Sequence, residues 1–173
     1  MNEIRKIKQE ICNRHFIKMA VIVFLIGMIT SFPYLADTIW NHDALANAYT
    51  DFDWLLEQGK WFVTPIAALK GAYDLPYLGN ILGIVFLTVA VALITRMLDV
   101  KEQWRQYVIA VLFVTFPSIS AFMIYHCADY FGFSILLAVA AAYFAEKKGI
   151  LCYIISAICL TFSMGAYQAY IGM

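Results

Sequence analysis

The apolar stretches of this chain are long enough to cross a lipid bilayer, and that removes most of the folds open to 173 residues. About five such stretches occur, near 16–36, 76–98, 106–126, 128–146 and 150–171. Spanning the hydrocarbon layer takes roughly 20 mostly apolar residues in a helix. Lipid offers no hydrogen-bond partners, so each run must form a helix that satisfies its own backbone. The expected fold class is therefore all-α: a polytopic transmembrane helical bundle forming a single membrane domain over residues 1–173. Composition agrees, with 63% of residues hydrophobic and 14% charged. A soluble domain is nearer half apolar and a quarter charged.

The first stretch has the basic start and apolar core of a signal peptide. A cut after Ala36 would place bulky Tyr34 where a small residue is needed, so the stretch reads as an anchor. With the N-terminus in the cytoplasm, the inner segments carry Arg5, Lys6, Lys8, Arg14, Lys18, Arg96, Lys101, Arg105, Lys147 and Lys148. The outer segments carry only Lys60 and Lys70, which completes the 12 basic residues. This is the positive-inside distribution. Residues 1–15 then form a short cytoplasmic tail. The chain stops at Met173, at the outer end of the fifth stretch and with no polar tail, which suggests the N-terminal part of a longer protein.

Cys12, Cys127, Cys152 and Cys159 have neither metal-ligand nor redox spacing and read as small packing residues. The spacing of acids and histidines implies no metal and no other cofactor, although a divalent ion stays open. No basic aromatic groove points to nucleic acid.

The segment 37–75 is the one long polar loop, and loops beyond about 15 residues are usually functional or disordered. Its aromatics, among them Trp40, Tyr49, Trp54 and Trp61, argue against disorder. Leu45, Tyr49, Phe52 and Leu56 share helical spacing, with Asp51, Asp53 and Glu57 mostly off that stripe. The spacing predicts an amphipathic helix over about 43–58 on the outer membrane surface, stopped at Gly59. Lys60, Trp61, Phe62 and Pro65 would begin a second short segment. The other loops are very short, so the helices are antiparallel neighbours, and Pro117 is expected to kink the third span.

Four outward features carry candidate chemistry: Asn41-His42-Asp43, the acids of the loop helix, the pair His126 and Asp129, and Tyr167, Gln168 and Tyr170. Carboxylates near lipid are costly unless they meet water, a partner or a substrate. One at the outer face can deprotonate an acceptor hydroxyl as it attacks a sugar held on a lipid. Plainer readings exist for each. Asp43 can cap a helix. The loop acids can be a solvated face. Asp129 suits the positive start of a helix dipole. His126 can be a satisfied interfacial histidine, and the tyrosines fit an aromatic belt.

Several stretches together resemble the bacterial membrane glucosyltransferase domain of the Gtr type II kind. These are Asn41-His42-Asp43, Gly59-Lys60-Trp61 where that family often has Gly-Arg-Trp, and Leu75-Pro76-Tyr77-Leu78. Further on come Phe116-Pro117-Ser118, Ala128-Asp129-Tyr130, and Ser163-Met164-Gly165-Ala166-Tyr167-Gln168-Ala169-Tyr170. The order and spacing match from about residue 16 onward.

The resemblance implies an enzyme in the bacterial cytoplasmic membrane, partnered by the lipid bilayer, a polyprenyl-phosphate-glucose donor and a polysaccharide acceptor such as O-antigen. Asp43 matches the essential acid of the first outer loop, and Asp129 is the second catalytic candidate. His42, Lys60, Trp61, His126, Tyr167 and Gln168 are the candidate substrate-binding residues, with Lys60 placed to meet donor phosphate. Paired acids are frequent in the family where this chain has His42-Asp43. The family's later helices are absent here, so this segment is expected to be inactive alone. A flippase for lipid-linked glycans would instead carry charges or helix breaks near the midplane of several spans. A scaffold subunit would tolerate neutral substitutions at Asp43 and Asp129.

Overall fold

A computed structural model of the chain describes residues 14–36, 53–69, 76–119 and 128–168. These residues are helical apart from short turns. The elements are α1 (Arg14–Ala36), α2 (Asp53–Glu57), α3 (Val63–Leu69), α4 (Pro76–Met97), α5 (Gln103–Val114), α6 (Ala128–Ala145) and α7 (Ile150–Ala166).

Among the described residues, three helices are long and apolar enough to cross a membrane, over Phe16–Pro33, Tyr77–Met97 and Ala128–Ala145. The apolar helix Ile150–Ala166 is slightly shorter. The third expected span, 106–126, is interrupted next to Pro117, the residue expected to kink it. Its helix begins earlier, at Gln103, and stops at Val114. Thr115 turns its hydroxyl onto the Val111 carbonyl at 2.8 Å. Pro117 has no N–H with which to continue the ladder. A new turn covers 117–119, where Ile119 enters the core. Residues 120–127 lie outside the described residues. In α1 the helix carries on past Pro33 to Ala36. A membrane helix tolerates this because neighbouring groups can take up the freed carbonyl.

Contacts fix how the helices run. Thr95 on α4 sits 3.8 Å from the Met19 sulfur, and a Cβ on Gly27 would meet Ile84, so α1 and α4 are antiparallel. α4 and α6 run the same way. Gly83 lies against Ala128 and Gly132 near their starts. Ile94 and Met97 share a 380 Å³ apolar cavity with Ala138, Val139 and Ala142 near their ends. At the Gly83 crossing a Cβ would fall 2.7 Å from the Ala128 carbonyl oxygen, so backbone meets backbone. Small residues allow such approach, and dispersion contacts drive helix association in lipid.

α6 and α7 are antiparallel and cross-linked by hydroxyls. Ser134 Oγ donates to the Ser163 carbonyl at 3.0 Å, and Ser163 Oγ donates to the Ser134 carbonyl at 2.9 Å. Nearer the other end, Ser156 Oγ donates to the Ala141 carbonyl at 2.7 Å.

The core is the seam between α4 and α6, built from Ile84, Leu87, Ala90, Ile135 and Val139. A second cluster joins Met19 and Val23 of α1 to Val91, Ala110 and Val114. Large apolar side chains on the outer face of α1, such as Leu25 and Ile29, point outward. In water that face would be a liability, whereas in a bilayer it is the solvated side.

These directions sort the charges. The end of the bundle where α4 and α1 meet through Thr95 and Met19 also carries Lys18, Arg96, Lys101, Arg105, Lys147 and Lys148. The other end holds the starts of α4 and α6, the end of α7, and Lys60.

Candidate functional site

The loop that precedes α4 folds back onto this second end, and two backbone features guide it. Gly59 adopts φ 78, a left-handed conformation that glycine takes without strain. There the Gly59 N–H bonds to the Leu56 carbonyl and the Lys60 N–H to the Leu55 carbonyl, both at 2.8 Å. This pair of bonds closes a short helix and reverses the chain. Two residues on, the Phe62 N–H donates to the Gly165 carbonyl at 2.8 Å, which ties the loop to the end of α7.

Gly165 is necessary for that contact. A Cβ at Gly165 would fall 2.6 Å from Trp61 Cζ2, so any larger residue must displace the indole. A Cβ on Gly59 would likewise meet Gln168 Nε2 at 2.6 Å. The loop and the α7 end therefore touch at two glycines, Trp61 on Gly165 and Gln168 on Gly59.

Side chains seal the junction. Leu55, Val63, Tyr130 and Ala166 form a buried cluster with Phe62 and Ile66 packed against it. Lys60 Nζ stands 5.5 Å from the centroid of the Tyr167 ring, an orientation in which the cation meets the negative ring face. Tyr167 in turn meets Phe131 edge-on at 4.9 Å.

Of the stripe expected through Leu45, Tyr49, Phe52 and Leu56, Leu56 alone lies among the described residues. Leu55 is 6% exposed and Leu56 44% exposed. The reversal at Gly59 turns Leu55, not Leu56, toward Val63 and Tyr130. Of the expected helix over 43–58, the described part is Asp53–Glu57. The expected stop at Gly59 and the second short segment after Lys60 are both present, the latter as α3. The last span, expected to reach 171, leaves the helix after Ala166, and Tyr167 is extended. The reason is the Gly165 carbonyl, which serves the loop, with Trp61 wedged beside it.

Of the residues singled out from the sequence, Lys60, Trp61, Tyr167 and Gln168 converge on this corner. Asp129 stands in the first turn of α6, next to Tyr130 of the sealing cluster, and is 2% exposed. It sits at the positive start of the helix, enclosed by its neighbours. Glu57 is exposed. Asn41, His42, Asp43, Asp51, His126 and Tyr170 lie outside the described residues.

The sequence reading passed over Asn80, which is fully buried at the start of α4, one helical turn before Gly83. Ser134, which sets the α6–α7 register with Ser163, was not singled out either. The available signal was a carboxamide inside an otherwise apolar span, where polar groups are costly and usually functional or structural.

A family model described as Glucosyl transferase GtrII matches residues 32–173, a stretch that takes in every element of this corner. No curated protein and no solved structure matches the chain.

Proposed function

The chain belongs to the Glucosyl transferase GtrII family, and from that premise we propose that it moves glucose from a polyprenyl-phosphate-linked donor to a cell-surface polysaccharide at the outer face of the cytoplasmic membrane. The observation that carries this reading is the convergence of Lys60, Trp61, Tyr167 and Gln168 on one corner of an apolar bundle. Aromatic rings and a cation at a membrane surface suit a substrate with a lipid tail and an anionic, sugar-bearing head. The charge distribution supports the outer face. Apart from Lys60, the described basic side chains gather at the opposite end of the helices, and basic ends stay in the cytoplasm.

The proposed step is a substitution at the anomeric carbon. An acceptor hydroxyl attacks that carbon, the bond from carbon to phosphate oxygen breaks, and polyprenyl phosphate leaves with the electron pair. The acceptor proton passes to a carboxylate, for which Asp43 is the proposed base. Lys60 is proposed to balance the phosphate charge as it develops on the leaving oxygen. Asp129, enclosed at the start of α6, is proposed to hold the α6 turn and the local charge in place.

Membranes from cells expressing the gene that carries this segment, given labelled polyprenyl-phosphate-glucose and host polysaccharide, test the reading. Asp43→Asn at equal abundance is expected to lower label transfer by about 10²–10⁴-fold, the usual contribution of a positioned base. Equal transfer by both proteins would make Asp43 a helix cap and leave the base to be sought at Asp129. No transfer by either would overturn the donor assignment and favour a flippase.

A further inference from the structure

We propose that a row of aromatic rings leading inward from Lys60 seats the phosphate-proximal end of a prenyl chain. The proposal rests on the lipid-linked donor put forward above and adds where its tail lies.

Five rings, from the turn before α3 and from α4, α6 and α7, meet in edge-on, tilted or stacked contacts. Phe86 of α4 meets Phe133 of α6 at 5.0 Å. Phe133 meets Phe62 at 6.2 Å, and Phe62 stacks on Phe162 of α7 at 4.4 Å. Trp61 closes the row, 5.6 Å from Phe62 and 5.8 Å from Phe162. None of the five is fully buried, and Trp61 is 44% exposed. The seam between the same helices is closed, with Ile84 at 1% and Ile135 at 0%. Phe62, Phe86, Phe133 and Phe162 are partly buried, so the row borders the bundle surface beside the sealed junction and opens at Trp61.

The occupant follows from two features. The first is the surface itself. The outer face of α1 meets the membrane largely with aliphatic side chains such as Val21, Leu25 and Ile29. The row offers flat π faces and polarised ring edges, which gain from other π systems beyond simple area burial. A prenyl chain, with its regular trisubstituted double bonds, supplies such partners, and a saturated acyl chain does not. The second is charge. Lys60 directly precedes Trp61 at the head of the row, with its ammonium over Tyr167. A compact cation at the top of an apolar track complements a phosphate at the top of an apolar chain. From the start of α6 near Asp129 to Phe133 is four residues, about 6 Å of helix. The track thus holds only the segment of chain next to the phosphate.

The test uses a sugar-free probe, so it stands apart from turnover. A prenyl phosphate carrying a photoreactive diazirine near its phosphate end is irradiated with the full chain in lipid nanodiscs, and labelled peptides are mapped. Label is expected on segments containing Phe62, Phe133 and Phe162. Unlabelled prenyl phosphate should compete better than a saturated alkyl phosphate of equal carbon number. Phe162→Leu and Phe62→Leu, which keep apolar bulk, should each lower labelling about two- to tenfold. Phe32→Leu on α1 should leave it unchanged. Equal competition by the saturated phosphate, or label concentrated on α1, would overturn the proposal. Label on the row without glucose transfer would uphold the track and overturn the donor sugar or the activity proposed above.

Discussion

The two ends of the bundle are built to different rules. At the end carrying Arg96, Lys101, Arg105, Lys147 and Lys148, the connections are short and the charges sit in the open. Arg105 and Glu102 approach to 3.7 Å with both side chains more than half exposed, a pairing of little energetic weight. Gln106 donates to the Val100 carbonyl, which ties down the short α4–α5 turn. At the other end the loop returns to the helices, two glycines admit side chains, and the polar residues Asn80 and Asp129 are enclosed. The first end leaves its basic side chains in the open. The second encloses polar groups and spends close packing on them, which is what a site for chemistry requires.

Substitutions that treat the ends differently test this contrast. The largest effect is expected where backbone meets backbone. Gly83→Val at the α4–α6 crossing should destabilise the bundle by about 3 kcal/mol, the upper part of the range for overpacking, read as a lowered unfolding midpoint in detergent. Little loss would mean that the seam is looser than the Gly83–Ala128 contact requires.

Next is Gly165→Ala, which must displace Trp61 from the end of α7. Glucose transfer should fall at least tenfold while the unfolding midpoint moves far less than for Gly83→Val. Proportional losses in both would make the corner a structural joint only. A smaller effect is expected for Ser134→Ala. It removes one hydroxyl of the reciprocal pair with Ser163, and intramembrane hydrogen bonds of this kind contribute about 0.6–2 kcal/mol. Least of all, Lys148→Gln at the open end should change stability by less than about 0.5 kcal/mol, as exposed surface substitutions do.

The contrast also explains what was legible in the sequence. Helices were readable because lipid leaves long apolar runs no alternative, and Gly59 marked a chain reversal by its conformational freedom. Trp61, Tyr167 and Gln168 were singled out for their chemistry, but nothing local predicts that Trp61 lands on Gly165, because that contact joins residues about a hundred positions apart. The place of Leu55 in the sealing cluster was not legible, because periodicity fixes a face only over several turns and α2 has barely more than one. The break in the third span lies beside Pro117, the residue expected to kink it, because Thr115 and Pro117 act on individual backbone bonds while hydropathy averages across them.

The most direct test of the account compares the lysine at the corner with a lysine at the open end. Labelled polyprenyl-phosphate-glucose is titrated into membranes carrying Lys60→Gln or Lys148→Gln at equal abundance. Lys60→Gln is expected to lower the transfer efficiency about 10- to 100-fold, the worth of a charge-assisted contact, while Lys148→Gln matches the parent. Equal effects of the two substitutions, or none from Lys60→Gln, would contradict the assignment of the glucosyl-transfer site to this end of the bundle.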